Sequence, residues 1–150
     1  MSTEPCTQVI RVDSDPCHLQ SCLKELTQFL QKPGFSDKTV QSLLVALGEA
    51  VTNASRHSYG CEKGRPIEIT LEDSPQKLVV RLRDYGKKID LREIKEPTLP
   101  PVQTGGLGIY FMKTIMDDLQ YNTAHAEGNE LIMTKYKRKE TGDENPSQKK

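Results

Sequence analysis

A chain of 150 residues with 35% hydrophobic content is the size of one ordinary domain, so one core is expected rather than two. Twenty-one basic residues balance 21 acidic ones, and no global field draws the protein to nucleic acid or to an anionic membrane. No apolar run approaches the roughly 20 residues of a bilayer span, and residues 1–8 lack the basic start and apolar run of a signal peptide, which points to the cytoplasm.

Aromatic residues make up only 5% of the chain, so the core should be mainly aliphatic. Residues 7–12 alternate polar and apolar side chains and read as a first strand. Asp13 or Ser14 can cap a first helix, with Pro16 in a tolerated first-turn position. Leu19, Leu23, Leu26 and Leu30 recur at helical spacing, which predicts that this helix is amphipathic and covers about 15–31, ended by Pro33 and Gly34. Cys6, Cys17, Cys22 and Cys61 lack C-x2-C spacing and read as reduced thiols rather than a zinc site.

A second helix starts at Ser36 or Asp37, carries a stripe of Val40, Leu43, Leu44, Leu47 and Val51, and leaves at Tyr59 and Gly60. Ile67, Ile69 and Leu71 alternate, Asp73-Ser74-Pro75-Gln76 makes a turn, and Leu78, Val80 and Leu82 alternate again: a β-hairpin. From 84 to 106 periodicity is lost and Gly and Pro accumulate, the mark of a functional loop, often a lid. Residues 108–119 return to helical character. Two strands, near 119–126 and 131–136, come next, joined by Glu127-Gly128-Asn129. Residues 1–137 should form the domain, and the polar, charged stretch 138–150 a disordered tail. The order suits a two-layer α/β (α+β) sandwich, with three main helices on one face of a mixed, mostly antiparallel sheet.

Three groups of residues carry chemistry. Glu49, Asn53 and His57 stand at i, i+4 and i+8, which stacks them along one helix face. A carboxylate one turn from a carboxamide suits a base beside a ligand for a hard cation such as Mg2+, which keeps most of its shell as phosphate oxygens and water. Two solvent-facing helix residues would look the same. Asp84 ends an alternating strand with Gly86 two residues on, which suits hydrogen bonding to an exocyclic amine such as N6 of adenine, or a simple strand-terminating turn. Thr104-Gly105-Gly106-Leu107-Gly108 opens the third helix, where exposed N–H groups and the helix dipole favour phosphate. It is neither a Walker loop nor a Rossmann fingerprint.

Taken in order, Gly48-Glu49-Ala50-Val51-Thr52-Asn53-Ala54, Arg83-Asp84-Tyr85-Gly86 and Gly105-Gly106-Leu107-Gly108-Ile109 resemble the N, G1 and G2 boxes of the GHKL (Bergerat-fold) ATPases. The resemblance spans about 7–137. Within the superfamily the chain is most similar to the bacterial anti-sigma-factor serine/threonine kinases, in its length, its Glu-Ala-Val-Thr-Asn-Ala helix and its Met116-Asp117-Asp118 segment.

That resemblance implies the Bergerat ATP-binding fold, with ATP and Mg2+ as cofactors. Asn53 would coordinate the metal, Glu49 would be the catalytic base, Asp84 would bind the adenine amine, and Gly86 would give the ring room. Thr104, Gly105, Gly106, Leu107 and Gly108 would wrap the phosphates. Lys88 stands where the G1 box usually has a second glycine, and it either crowds the nucleotide or reaches the phosphates as a point charge. The implied activity is transfer of the γ-phosphoryl group to a serine or threonine of an anti-anti-sigma factor, by a homodimer that also sequesters a sigma factor. A weakly catalytic or non-catalytic ATP-binding switch acting on another protein is the alternative.

Overall fold

The computed structural model describes residues 6–89 and 107–137. Strand β1 (Cys6–Asp13) leads through a 3-10 turn (Pro16–His18) into helix α1 (Leu19–Leu30), and helix α2 (Asp37–Asn53) runs on into a π-helical turn (Ala54–Ser58). Strands β2 (Pro66–Asp73) and β3 (Lys77–Asp84) form the expected hairpin; helix α3 (Leu107–Ile115) and strands β4 (Asp118–Asn122) and β5 (Asn129–Tyr136) complete the order. The strands make one five-stranded sheet in the order β1-β2-β3-β5-β4. All four pairings are antiparallel, so no parallel pair of a mixed sheet occurs among the described residues.

Period-two patterning decides which face of the sheet is covered. Ile67, Ile69 and Leu71 of β2, Leu78, Val80 and Leu82 of β3, and Leu131 and Met133 of β5 are buried in one core with Ile10 of β1. Leu26, Phe29 and Leu30 of α1, Leu43, Ala46, Leu47 and Ala50 of α2, and Met112 of α3 fill the same core. The helices therefore lie on one face, as a two-layer sandwich requires. The other face carries charged pairs such as Arg11–Glu68 and Arg81–Glu72.

Local chemistry sets the boundaries. The Asp15 carboxylate accepts from the Cys17 N–H at 2.9 Å, so the chain first makes a 3-10 turn, and α1 begins at Leu19 instead of near 15. Ser36 caps α2 by accepting from the Thr39 N–H at 3.1 Å. Helix α3 stops at Ile115 instead of running to 119. There the Lys135 ammonium donates to the Ile115 carbonyl at 2.9 Å, and Asp117 is captured by β5: its N–H donates to the Thr134 carbonyl at 2.9 Å and its carboxylate accepts from the Tyr136 N–H at 2.7 Å. Strand β4 ends at Asn122, well short of 126, because the Asn122 side chain turns the chain by accepting from the Ala124 N–H at 3.0 Å.

The loop reading for 84–106 lies outside the described residues from 90 onward, as does the tail reading for 138–150. Among the described residues no helix is long and apolar enough to cross a membrane.

Candidate functional site

The C-terminal end of α2, the end of β3 and the start of β5 meet at one end of the sheet. On α2, Glu49 is partly buried and Asn53 is 8% exposed. Neither side chain has a hydrogen-bond or ion-pair partner among the described residues, and neither carries a fully buried unsatisfied atom, so both polar ends remain open to solvent or a ligand. His57 does not continue this face. The backbone after Asn53 takes a π turn, with the Tyr59 N–H donating to the Ala54 carbonyl at 3.2 Å, and the longer turn rotates His57 out to solvent. Ser58 turns inward instead and is 4% exposed.

Asp84, 2% exposed, receives three donors. The Ser58 hydroxyl donates to Oδ2 at 2.9 Å; the Gly86 N–H at 3.0 Å and the Asn129 amide at 3.1 Å donate to Oδ1. The sheet register makes this possible, because Asp84 stands directly opposite Asn129. Gly86 is needed for close packing. A Cβ on it would overlap the Ser58 carbonyl, which accepts from the Lys87 N–H at 2.7 Å. Tyr59 braces the same corner, its hydroxyl donating to the Pro66 carbonyl at 2.6 Å and accepting from the Tyr85 N–H at 2.7 Å. Tyr121 of β4 packs against the core opposite Leu131, two residues along β5 from Asn129, and burial, helped by the negative charge of Asp84, pushes its phenol up to about 12.

Lys88 is exposed, and its ammonium donates to the carbonyl of His125 in the β4–β5 connection. Of the glycine-rich segment, Leu107 and Gly108 open α3, while Thr104, Gly105 and Gly106 lie outside the described residues. No group of three or more His, Cys, Asp or Glu among the described residues could hold a metal ion. A Mg2+ ion beside Asn53 would therefore take most of its oxygens from phosphate and water, a set in which one carboxamide oxygen suffices.

The structure thus brings Asp84 and Gly86 together with the end of the helix that carries Glu49 and Asn53. Sequence reasoning missed Ser58, Asn129 and Tyr121. Ser58 carries no periodic signal, since only the π turn aims it inward. Asn129 sits in a stretch that reads as a plain turn, and its partner is visible only once β5 is known to lie beside β3.

Residues 12–135 match the family described as the histidine kinase-like ATPase domain. The chain is 30% identical over 128 residues to the serine-protein kinase RsbW of Listeria innocua, covering 80% of each protein. It is 29% identical over 135 residues to the RsbW serine-protein kinase of Oceanobacillus iheyensis, covering 85% of this chain and 84% of the relative. The RsbW serine-protein kinase of Bacillus thuringiensis is 32% identical over 115 residues, covering 71% of this chain and 70% of the relative.

Proposed function

The chain belongs to the histidine kinase-like ATPase domain family, and from that premise we propose that it is an ATP-dependent protein serine/threonine kinase of the anti-sigma-factor type. It phosphorylates an anti-anti-sigma factor, sequesters a sigma factor, and works as a cytoplasmic homodimer. The observation that carries this reading is a buried carboxylate, Asp84, held ready by three donors and tied through Ser58 to the end of α2, the helix whose Glu49 and Asn53 have no partner among the described residues. Relatives named serine-protein kinase over most of their length support the same activity.

Each residue has a role that its position suits. Asp84 accepts a hydrogen bond from the adenine amine, a contact that favours adenine over a base presenting an oxygen at the same edge. Gly86 keeps the turn after β3 close against the π turn, so the corner beside Asp84 stays narrow. Asn53 offers its side-chain oxygen to Mg2+, which when bound neutralises charge on the transferred phosphoryl group. Glu49 takes the proton from the partner's serine or threonine hydroxyl. The hydroxyl oxygen bonds to the γ-phosphorus, the bond to the bridging oxygen breaks, and ADP leaves. By its resemblance to a phosphate-binding glycine motif, the 104–108 stretch would offer its N–H groups to the phosphates. Lys88 reaches them once its ammonium leaves the His125 carbonyl.

The test is phosphate transfer from ATP to an anti-anti-sigma protein, with ATP affinity measured alongside. Glu49→Gln should keep ATP binding and lower transfer about 10²-fold or more, and Asp84→Asn should weaken ATP binding about a hundredfold. Full transfer by Glu49→Gln would remove the base assignment. Binding of ATP without transfer to any partner would leave the regulatory switch in place of the kinase.

A further inference from the structure

The hydrogen bonds around Asp84 divide its two oxygens unequally. Each carboxylate oxygen can accept about two hydrogen bonds. Oδ1 already takes two, from the Gly86 N–H at 3.0 Å and the Asn129 amide at 3.1 Å. Oδ2 takes one, from the Ser58 hydroxyl at 2.9 Å. We infer that Asn129 is a positioning residue for the nucleotide base: it saturates Oδ1 of Asp84 and so directs the amine of the base to Oδ2. This rests on the ATP-binding reading above.

Asn129 is equipped for the task because its amide has one orientation only. Its Oδ1 accepts from the Ile89 N–H at 2.8 Å, and its Nδ2 donates to the Lys87 carbonyl at 2.8 Å. A flipped amide would set oxygen against the Lys87 carbonyl and N–H against N–H at Ile89. The Asn129 NH2 has two hydrogens: one goes to the Lys87 carbonyl, and the other is shared between Oδ1 of Asp84 and the Ser58 hydroxyl, each at 3.1 Å. Ser58, accepting there, commits its single hydrogen to Oδ2 of Asp84. Asn129 therefore acts on both oxygens: directly on Oδ1, and through Ser58 on Oδ2. It also ties the backbone at Lys87 and Ile89 to the same amide, so Asp84 and the turn after β3 move as one unit. At 7% exposure, Asn129 is itself shielded from water that could replace these bonds.

The experiment is a double-mutant cycle on nucleotide binding, with ATP and adenosine titrated into the parent chain, Asn129→Ala, Asp84→Asn and the double variant. Asn129→Ala should weaken both ligands by the same factor, about ten- to hundredfold. On the Asp84→Asn background it should cost little more, because its action passes through Asp84. Additive losses, or a loss for ATP that adenosine does not share, would overturn the inference while leaving the ATP site standing. A parent chain that binds neither ligand would overturn both readings. Hydrogen exchange of the parent gives a check that needs no variant: the Gly86 and Ile89 amides should be protected without nucleotide. Free exchange at Ile89 overturns the inference even if Asn129→Ala does not fold.

Discussion

The Ser58 hydroxyl donates to Oδ2 of Asp84 at 2.9 Å, joining the π turn at the end of α2 to the last residue of β3. Twenty-six residues of chain separate the two, and both are buried. Ser58→Ala removes the one donor that Oδ2 has among the described residues, and one acceptor of the Asn129 amide, without replacing either. A buried charged acceptor left short of a donor should cost about 1–3 kcal/mol. Urea unfolding of the two proteins measures it, and an unchanged midpoint would mean that water or a rearranged amide fills the place of the hydroxyl.

The contrast between Ser58 and His57 shows where sequence reading reaches its limit. Helical periodicity places Glu49 and Asn53 on one face correctly, because the α-helix holds through Asn53. It then carries His57 onto that face as well, since nothing in Ala54-Ser55-Arg56-His57-Ser58 announces a change of pitch. The hairpin of β2 and β3 is written almost completely in the alternation of Ile67 to Leu82. The ends of α3 and β4 are not, because they are decided by Lys135, Asp117 and Asn122 meeting partners on other elements or turning the chain locally. For the site, Asp84 and Gly86 are legible as a motif at a strand end. The donors that orient Asp84 are legible only from the sheet order.

Two glycines flanking the site should respond to alanine in opposite directions. Gly48 lies inside α2, and a Cβ there would meet only the Leu23 side chain, at 3.9 Å, an ordinary contact. Gly48→Ala should raise stability by about 0.5–1 kcal/mol through reduced backbone freedom in the unfolded chain. Gly86→Ala should lower stability by more than that, because its Cβ would overlap the Ser58 backbone and push the turn away from Asp84. Thermal unfolding of both variants checks the pair. Equal shifts of the same sign would contradict the packing described at Gly86.

Ser14 holds the 55–65 segment to the end of β1 with every polar group it has. Its N–H donates to the Arg65 carbonyl at 2.8 Å, its carbonyl accepts from the Ser55 hydroxyl at 2.8 Å, and its hydroxyl accepts from the Arg65 N–H at 3.0 Å while donating to the Glu62 carbonyl. Ser14 is 2% exposed, so the two backbone groups abandoned by Ser14→Ala would not all find water. A loss of about 1–3 kcal/mol is expected, with faster hydrogen exchange at the Arg65 amide. Slow exchange there in the variant would show that the segment is held by other means.

The four cysteines should separate by reactivity. Cys22 is buried in the α1 core, and burial, with the nearby Glu25 carboxylate adding to it, pushes its thiol up to about 11. The reactive thiolate is scarce there at neutral pH, and a reagent must first open the core. Cys6, Cys17 and Cys61 are exposed. Alkylation of the folded protein at pH 7.5 (about one unit below an ordinary thiol pKa) should label those three quickly, and Cys22 only on unfolding. Fast labelling of Cys22, read by mass spectrometry, would place α1 away from the sheet.

Glu130 and its partners give the fold a dependence on acid below the ordinary carboxylate value. Its carboxylate accepts from the Asn122 amide at 2.9 Å and from the His125 ring at 3.0 Å. Burial alone would raise its pKa, but the hydrogen bonds from His125 and Asn122, with the charges of His125 and Arg81, hold it below the ordinary carboxylate value. A depressed folded pKa means that the unfolded chain takes up the proton first as pH falls. The stabilisation is therefore complete above the ordinary value of 4.5 and is lost as pH drops through the lower folded one. In Glu130→Gln this contribution is gone at every pH. The stability gap between parent and variant should shrink as pH falls below the ordinary value of 4.5. Urea midpoints measured in steps from that value downward would show it, and a gap that stayed constant or widened over that range would mean that the partners of Glu130 do not hold its pKa down.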